Sequence, residues 1–174
     1  AVLSALGDLL VRIGRLVEAE QVYEQALLLY RQLSDAVGEA STLQALGEVS
    51  ARAGRVADAQ VAFERALPLF RTLEDKRGTA LALKSLGSAL WLQGNYAAAH
   101  ALHEESLSIK RQLGDQWGTA ASLDNLGETM FKLGDNEASR SYQCESLKIR
   151  RELGIVRGVA HSLEQIAAID ESIG

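Results

Sequence analysis

The sequence predicts an all-α chain built from repeated antiparallel helix pairs, and three observations predict it. Glycines recur at a period of forty residues, apolar residues between them recur at three- and four-residue spacing, and an aspartate stands before the opening turns. In rows of forty, Gly7, Gly47, Gly87 and Gly127 form one column. Gly14, Gly54, Gly94, Gly134 and Gly174 form a second, Gly38, Gly78, Gly118 and Gly158 a third, and Gly114 with Gly154 a fourth. All fifteen glycines are used. Leu33, Leu73, Leu113 and Leu153 keep the same register, as do Leu43, Leu83, Leu123 and Leu163, and Leu46, Leu86, Leu126 and Ile166. Residues 75–114 and 115–154 share sixteen identities in forty.

Each element of the unit at residues 75–114 has a local cause. Asp75, like Asp35 and Asp115, is placed to cap a helix N-terminus by accepting a free amide hydrogen. A first helix follows from about Lys76 to Gln93, with Leu83, Leu86, Gly87 and Leu90 on one face. Gly78 lies in its opening turn. Gly87 lies inside it, where glycine costs about 1 kcal/mol against alanine, so this column marks close packing. Gly94 ends the helix by entering the left-handed conformation that a Cβ disfavours. A second helix runs from about Tyr96 to Leu113 with Ala99, Leu102, His103, Ser106 and Leu107 on its inner face, and Gly114 stops it. At roughly 18 residues, each helix is about 27 Å long.

Carried along the chain, the frame gives a nearly complete unit at residues 1–34, complete units at 35–74, 75–114 and 115–154, and an orphan or capping helix at 155–174. Ala1 falls inside a first helix and Gly174 at the turn before a second, so the array is expected to be a piece of a longer protein. Ile155 replaces the capping aspartate, which predicts a less firm start for the last helix. That helix is expected to expose Val159, Leu163, Ile166 and Ile169, with Asp170, Glu171 and Ser172 as a polar cap. Trp117, beside Asp115, is expected to pack on the loop.

Composition bounds the function. An apolar fraction of 47% and a charged fraction of 24% suit a chain with a packed core. The longest apolar run, Ala26 to Tyr30, is far below the roughly 18 residues of a membrane span. With 18 basic and 23 acidic residues the net charge is −5, which argues against nucleic acid as partner. A lone Cys144 forms no internal disulfide and points to the cytoplasm.

The run Leu83-x-x-Leu86-Gly87-x-x-Leu90, then Gly94-Asn95-Tyr96, Ala99 and His103, resembles the tetratricopeptide repeat, and the resemblance covers the whole chain. It implies a right-handed α-solenoid, the tetratricopeptide superhelix, that binds proteins and catalyses nothing. The period of 40 exceeds the family's usual 34, and Arg71, Arg111 and Arg151 stand where the family has proline. The family's tryptophan is leucine, and its aromatic position holds His103 and Gln143. The longer variant is similar to repeats of bacterial signalling and transcription regulators, spindle-orientation adaptors and kinesin light chains.

In the family the inner wall is built from first helices. Its groove positions carry over to Asp8 and Arg12; Gln44, Glu48 and Arg52; Lys84, Ser88, Trp91 and Leu92; Asp124, Glu128, Phe131 and Lys132; and Glu164, with Ser4, Val11, Ser41 and His161 beside them. The set of lysine, asparagine and arginine that clamps a C-terminal carboxylate is absent. The wall reads as mixed and slightly acidic, so a protein or peptide segment with basic residues fits it. Trp91, Leu92 and Phe131 are the candidate hot spots, and the alternative for Trp91 and Phe131 is burial as core.

Other chemistry is thin. His100 and His103 with Glu104 have a spacing that suits a metal, but His103 holds the aromatic packing position, so no metal or cofactor is expected. Cys144 and His161 lie on different helices, no phosphate-binding glycine motif occurs, and no enzyme is expected. Arg31, Arg71, Arg111 and Arg151, thickened by Lys110 and Arg150, could form a basic ridge. The first three stand four residues before Asp35, Asp75 and Asp115, so a local ion pair or a solvated face is the expected arrangement, and the column is read as structural. The competing functional reading is self-association, or repeat stacking, through exposed end helices.

Overall fold

The computed structural model describes residues 2–173, and among them every regular element is an α-helix. The order is α1 (Val2–Arg12), α2 (Leu16–Gln32), α3 (Ala36–Arg52), α4 (Val56–Thr72), α5 (Lys76–Leu92), α6 (Tyr96–Gln112), α7 (Gln116–Leu133), α8 (Asn136–Glu152) and α9 (Val156–Ile173). The helices predicted at Lys76–Gln93 and Tyr96–Leu113 end one residue earlier than expected. Gly174, the last turn glycine, lies outside the described residues. No helix among the described residues is long and apolar enough to cross a membrane.

The helix ends follow the sequence logic. Asp35, Asp75 and Asp115 accept the backbone N–H of Gly38, Gly78 and Gly118 at 2.9, 2.9 and 2.8 Å. Asn95 and Asp135 likewise accept from Ala98 and Ala138 at 3.4 and 2.9 Å, whereas Arg15 and Arg55 in the same column make no side-chain cap bond. Gly14, Gly54, Gly94 and Gly134 turn the chain at φ of 80°, 78°, 80° and 84°.

The chain forms two compact units, Ala1–Gln93 with α1 to α5 and Gly94–Gly174 with α6 to α9. Within each unit every helix packs on the next, and in the first unit α3 also meets α5. Glycine makes this closeness sterically possible. A Cβ on Gly7 or Gly47 would come within 2.5 Å of the Tyr23 ring or 2.3 Å of the Phe63 ring. A Cβ on the opening-turn residues Gly38 or Gly78 would meet Tyr30 or Phe70, so these positions also seat the preceding second helix.

The two units fill these contacts differently. In the first the pads are aromatic: Tyr23, Phe63 and Phe70 are all buried, and Tyr23 joins Leu10, Ala19 and Val49 in one cluster. In the second the pads are polar, with Gln143 against Gly127, Lys110 against Gly118 and Arg150 against Gly158. Lys110 and Arg150 meet buried serines, and further buried serines bond the helices around them. Lys110 Nζ donates to Ser122 Oγ at 2.7 Å, Ser139 Oγ to the Gly127 carbonyl at 2.7 Å, and Ser146 Oγ to Asp124 Oδ1 at 2.7 Å. Leu107, Leu123 and Leu126, flanked by Tyr142 and Ile149, supply the apolar part.

The expectations for Ile169 and Trp117 are corrected here, and the arginine column takes structural partners other than the aspartates beside it. Arg31 pairs with Glu39 at 2.8 Å and Arg111 with Glu145 at 2.6 Å, not with the aspartates four residues on, because Asp35 and Asp115 already serve as caps. Lys110 and Arg150 form no surface ridge: Lys110 is buried, and the largely buried Arg150 donates to the Gly158 carbonyl and Ser162 Oγ and pairs with Asp124. Ile169 is buried, leaving Leu163 as the exposed member of the four α9 positions. Arg140–Asp170 and Asn136–Ser172 contacts hold that end of α9 to α8. Trp117 is 68% exposed rather than packed on the loop.

Candidate functional site

The first helices of each unit carry the side chains assigned to a binding wall. In the first unit these are α1, α3 and α5, and two cavities open between them. One, of about 210 Å³, is lined by Asp8, Val11 and Arg12 of α1, Tyr23 of α2 and Ala45, Glu48 and Val49 of α3. The other, of about 330 Å³, lies between α3 and α5, with Phe63 and Ala89 among its apolar walls and Arg52, Lys84 and Ser88 among its polar ones.

The carboxylates of this wall are held from within. The Tyr23 hydroxyl donates to Asp8 Oδ1 at 2.6 Å, and burial followed by that bond raises the Tyr23 phenol above its ordinary value. Gln44 Nε2 donates to Glu48 Oε1 at 3.1 Å and to Ser85 Oγ at 3.0 Å. Gln44 itself is 4% exposed, which corrects its assignment as a groove contact: it is a brace between α3 and α5 beneath the surface. Arg12, Arg52 and Lys84 make no ion pair or side-chain hydrogen bond among the described residues. Ser88 donates to the Lys84 carbonyl at 3.0 Å, Trp91 is half-buried and Leu92 is 60% exposed.

In the second unit α7 and α9 carry the wall. Asp124 is corrected in the same way as Gln44. It is buried, accepts from Ser146 and pairs with Arg150, so its charge is neutralised internally and is not offered to a partner. Burial pushes its carboxyl above the ordinary value, with Ser146 and Arg150 pulling it back. Glu128 is more open and stands 3.9 Å from His161 Nε2. Burial raises its carboxyl too, opposed by His161. Phe131 is 37% exposed and Lys132 and Glu164 are exposed, so Phe131 is a surface aromatic rather than core.

The remaining candidates sit as packing predicts. His103 is 1% exposed on the inner face of α6, while His100 stands 4.0 Å from Glu104 at the surface. Among the described residues, no group of three or more His, Cys, Asp or Glu is arranged to hold a metal. Cys144 is exposed on α8, and its notional partner His161 faces Glu128. Tyr142 donates to Glu104 at 2.6 Å, and burial with that bond pushes its phenol up to about 12.

The sequence matches the Tetratricopeptide repeat family over residues 1–72, 46–112 and 78–152. No curated protein matches it. Among solved structures it is similar to BtubC (BKLC) from P. vanneervenii, at 20% identity and a TM-score of 0.79, covering 98% of this chain and 76% of that one. It is also similar to a Rap protein complexed with Competence and Sporulation Factor, at 18% identity and a TM-score of 0.78, covering 96% of this chain and 47% of that one. A signal transduction ATPase with a tetratricopeptide repeat sensor from Pyrococcus horikoshii gives a TM-score of 0.87 at 16% identity, over 97% of this chain and 26% of that one. At these identities the likeness is one of fold. Family match, forty-residue register and stacked helix pairs agree, and the chain belongs to the tetratricopeptide repeat family, whose repeats mediate protein–protein interaction.

Proposed function

We propose that the chain is a non-catalytic scaffold, working in the cytoplasm within a larger regulatory protein, that binds a protein or peptide segment on its first-helix faces. The observation that carries this reading is the set of exposed or half-exposed groups on those faces: Leu92 with Lys84 and Arg52 in one unit, Phe131 with Glu128 in the other. Apolar side chains able to be desolvated beside selective charges are what a binding surface needs. The similar Rap protein complexed with Competence and Sporulation Factor, and the partial coverage of a longer signal transduction ATPase, support the regulatory setting. Within each unit, helices packed on their neighbours hold the first-helix face in place, so little of the binding energy goes into ordering it.

The test is capture of partners by wild type and by a Leu92→Asp, Phe131→Asp double variant whose helical circular dichroism is retained. The reading predicts at least a tenfold loss of retained partner. Equal capture would remove the first-helix faces from the mechanism.

A second reading, self-association, is favoured by one feature. Val2, Leu6, Leu9 and Ile13 fall on one face of α1 and its C-terminal turn and are 82%, 42%, 47% and 58% exposed. Sedimentation over a range of concentrations decides it, since a strictly monomeric chain leaves it without support.

A further inference from the structure

Resting on the reading of the first-helix faces as a binding surface, we propose that the cavity between α3 and α5 takes a partner segment carrying an acidic side chain next to an apolar one. This reverses the charge preference read from the sequence. The inventory of charges had suggested a slightly acidic wall, but an inventory does not tell which charges are already engaged.

On this cavity the carboxylate has a partner within the chain and the cations do not. Glu48 accepts from Gln44 at 3.1 Å, and Gln44 is fixed in turn by Ser85 at 3.0 Å. Arg52 and Lys84, on the same cavity, have neither an ion pair nor a side-chain hydrogen bond among the described residues. The α3–α5 cavity therefore sets two cations, Arg52 and Lys84, against the one carboxylate of Glu48. The neighbouring cavity shares Glu48 and adds Asp8, held by the Tyr23 hydroxyl at 2.6 Å, against Arg12 alone, so the excess of positive charge belongs to the α3–α5 cavity. Lys84 is half-buried on the cavity, where a charge pair is screened less than in open water.

The remaining lining sets the rest of the ligand. Phe63 and Ala89 are 2% and 4% exposed and supply an apolar wall, while Leu92, 60% exposed, also lines the cavity. The cavity of about 330 Å³ is near the lower end of the roughly 300–1,000 Å³ of ligand pockets. It suits one aliphatic or aromatic side chain with the acidic group beside it. A carboxylate can come from an internal Asp or Glu or from a chain end, and the test separates the two.

The whole 174-residue chain, labelled with ¹⁵N, is titrated with four acetylated tetrapeptides and read by amide chemical shifts. Glu-Leu-Glu-Leu-amide is the expected ligand, and Lys-Leu-Lys-Leu-amide and Glu-Gly-Glu-Gly-amide remove the acid and the apolar group in turn. Gly-Leu-Gly-Leu with a free carboxylate supplies only a chain end. The expected result is saturable shifts around Arg52 and Lys84 to Leu92 with the first peptide, weakened at least tenfold by Arg52→Gln with Lys84→Gln. Lys84→Met, which keeps the apolar stem, should weaken binding as Lys84→Gln does. The proposal is overturned if the lysine peptide binds as tightly, if the glutamine variant keeps its affinity, or if none of the four peptides shifts these signals. Equal binding by the free-carboxylate peptide overturns the internal acidic side chain and assigns a chain end instead. Any of these failures, with partner capture still lost in the Leu92→Asp, Phe131→Asp variant, removes the ligand assignment and leaves the binding face in place.

Discussion

Ser34 and Glu74 hold the helix-ending position at φ of 54° and 53°, where Gly114 and Gly154 stand in the later units at 68°. A side chain in the left-handed region costs roughly 1–2 kcal/mol, so Ser34→Gly and Glu74→Gly should each raise stability by about 1 kcal/mol in urea melts. The packing glycines predict the opposite sign. Gly47→Ala improves helix propensity, but its Cβ would sit 2.3 Å from the ring of a Phe63 that is itself buried, and a loss of about 1–3 kcal/mol is expected. Gly127→Ala meets the more pliable Gln143 and should cost less, and the two variants compared in one melt series check the assignment. These turn and packing roles were legible in the sequence because a positive φ and a close approach both select glycine locally. Gln44 and Asp124 were not, since a polar residue becomes a brace only when its partners arrive, Ser85 for one, and Arg150 for the other.

At the level of elements, the second unit depends on a polar clamp joining α7, α8 and α9. Removing Asp124 as Asp124→Ala leaves the Arg150 guanidinium largely buried without its carboxylate, which should cost about 3 kcal/mol, measured as a lowered urea midpoint. Glu128 gives a pH signature. Its carboxyl is raised in the folded chain chiefly by burial, so the folded state binds a proton more readily than the unfolded state. Ionised Glu128 therefore opposes folding, and that opposition fades as pH falls from neutral through the raised folded value towards the ordinary carboxylate value. Glu128→Gln should be more stable than wild type at pH 7, with the difference shrinking as the solution is acidified through that window. A constant difference would contradict the assignment. The helices themselves were readable from apolar spacing and aspartate caps. The caps at Asn95 and Asp135 were also within reach, since each follows a turn glycine, whereas the swap of aromatic pads for Gln143, Lys110 and Arg150 needed the buried serines to make sense.

At the level of the molecule, a register of forty residues specified the helix-pair architecture almost completely, because each unit can bury its apolar face only against its neighbours. Function was less legible. Binding depends on which charges line each cavity and which have partners within the chain, and a list of residues shows neither for Arg52, Lys84 and Glu48. The central claim is that partners meet the first helices rather than the second. Photo-crosslinking tests it most directly, with a photoreactive amino acid placed at Leu92 or Phe131 on first helices and, for comparison, at the exposed Leu28 or Val61 on second helices. The account predicts partner crosslinks from Leu92 and Phe131 and background from Leu28 and Val61. Crosslinks confined to Leu28 and Val61, or equal from both faces, would contradict it.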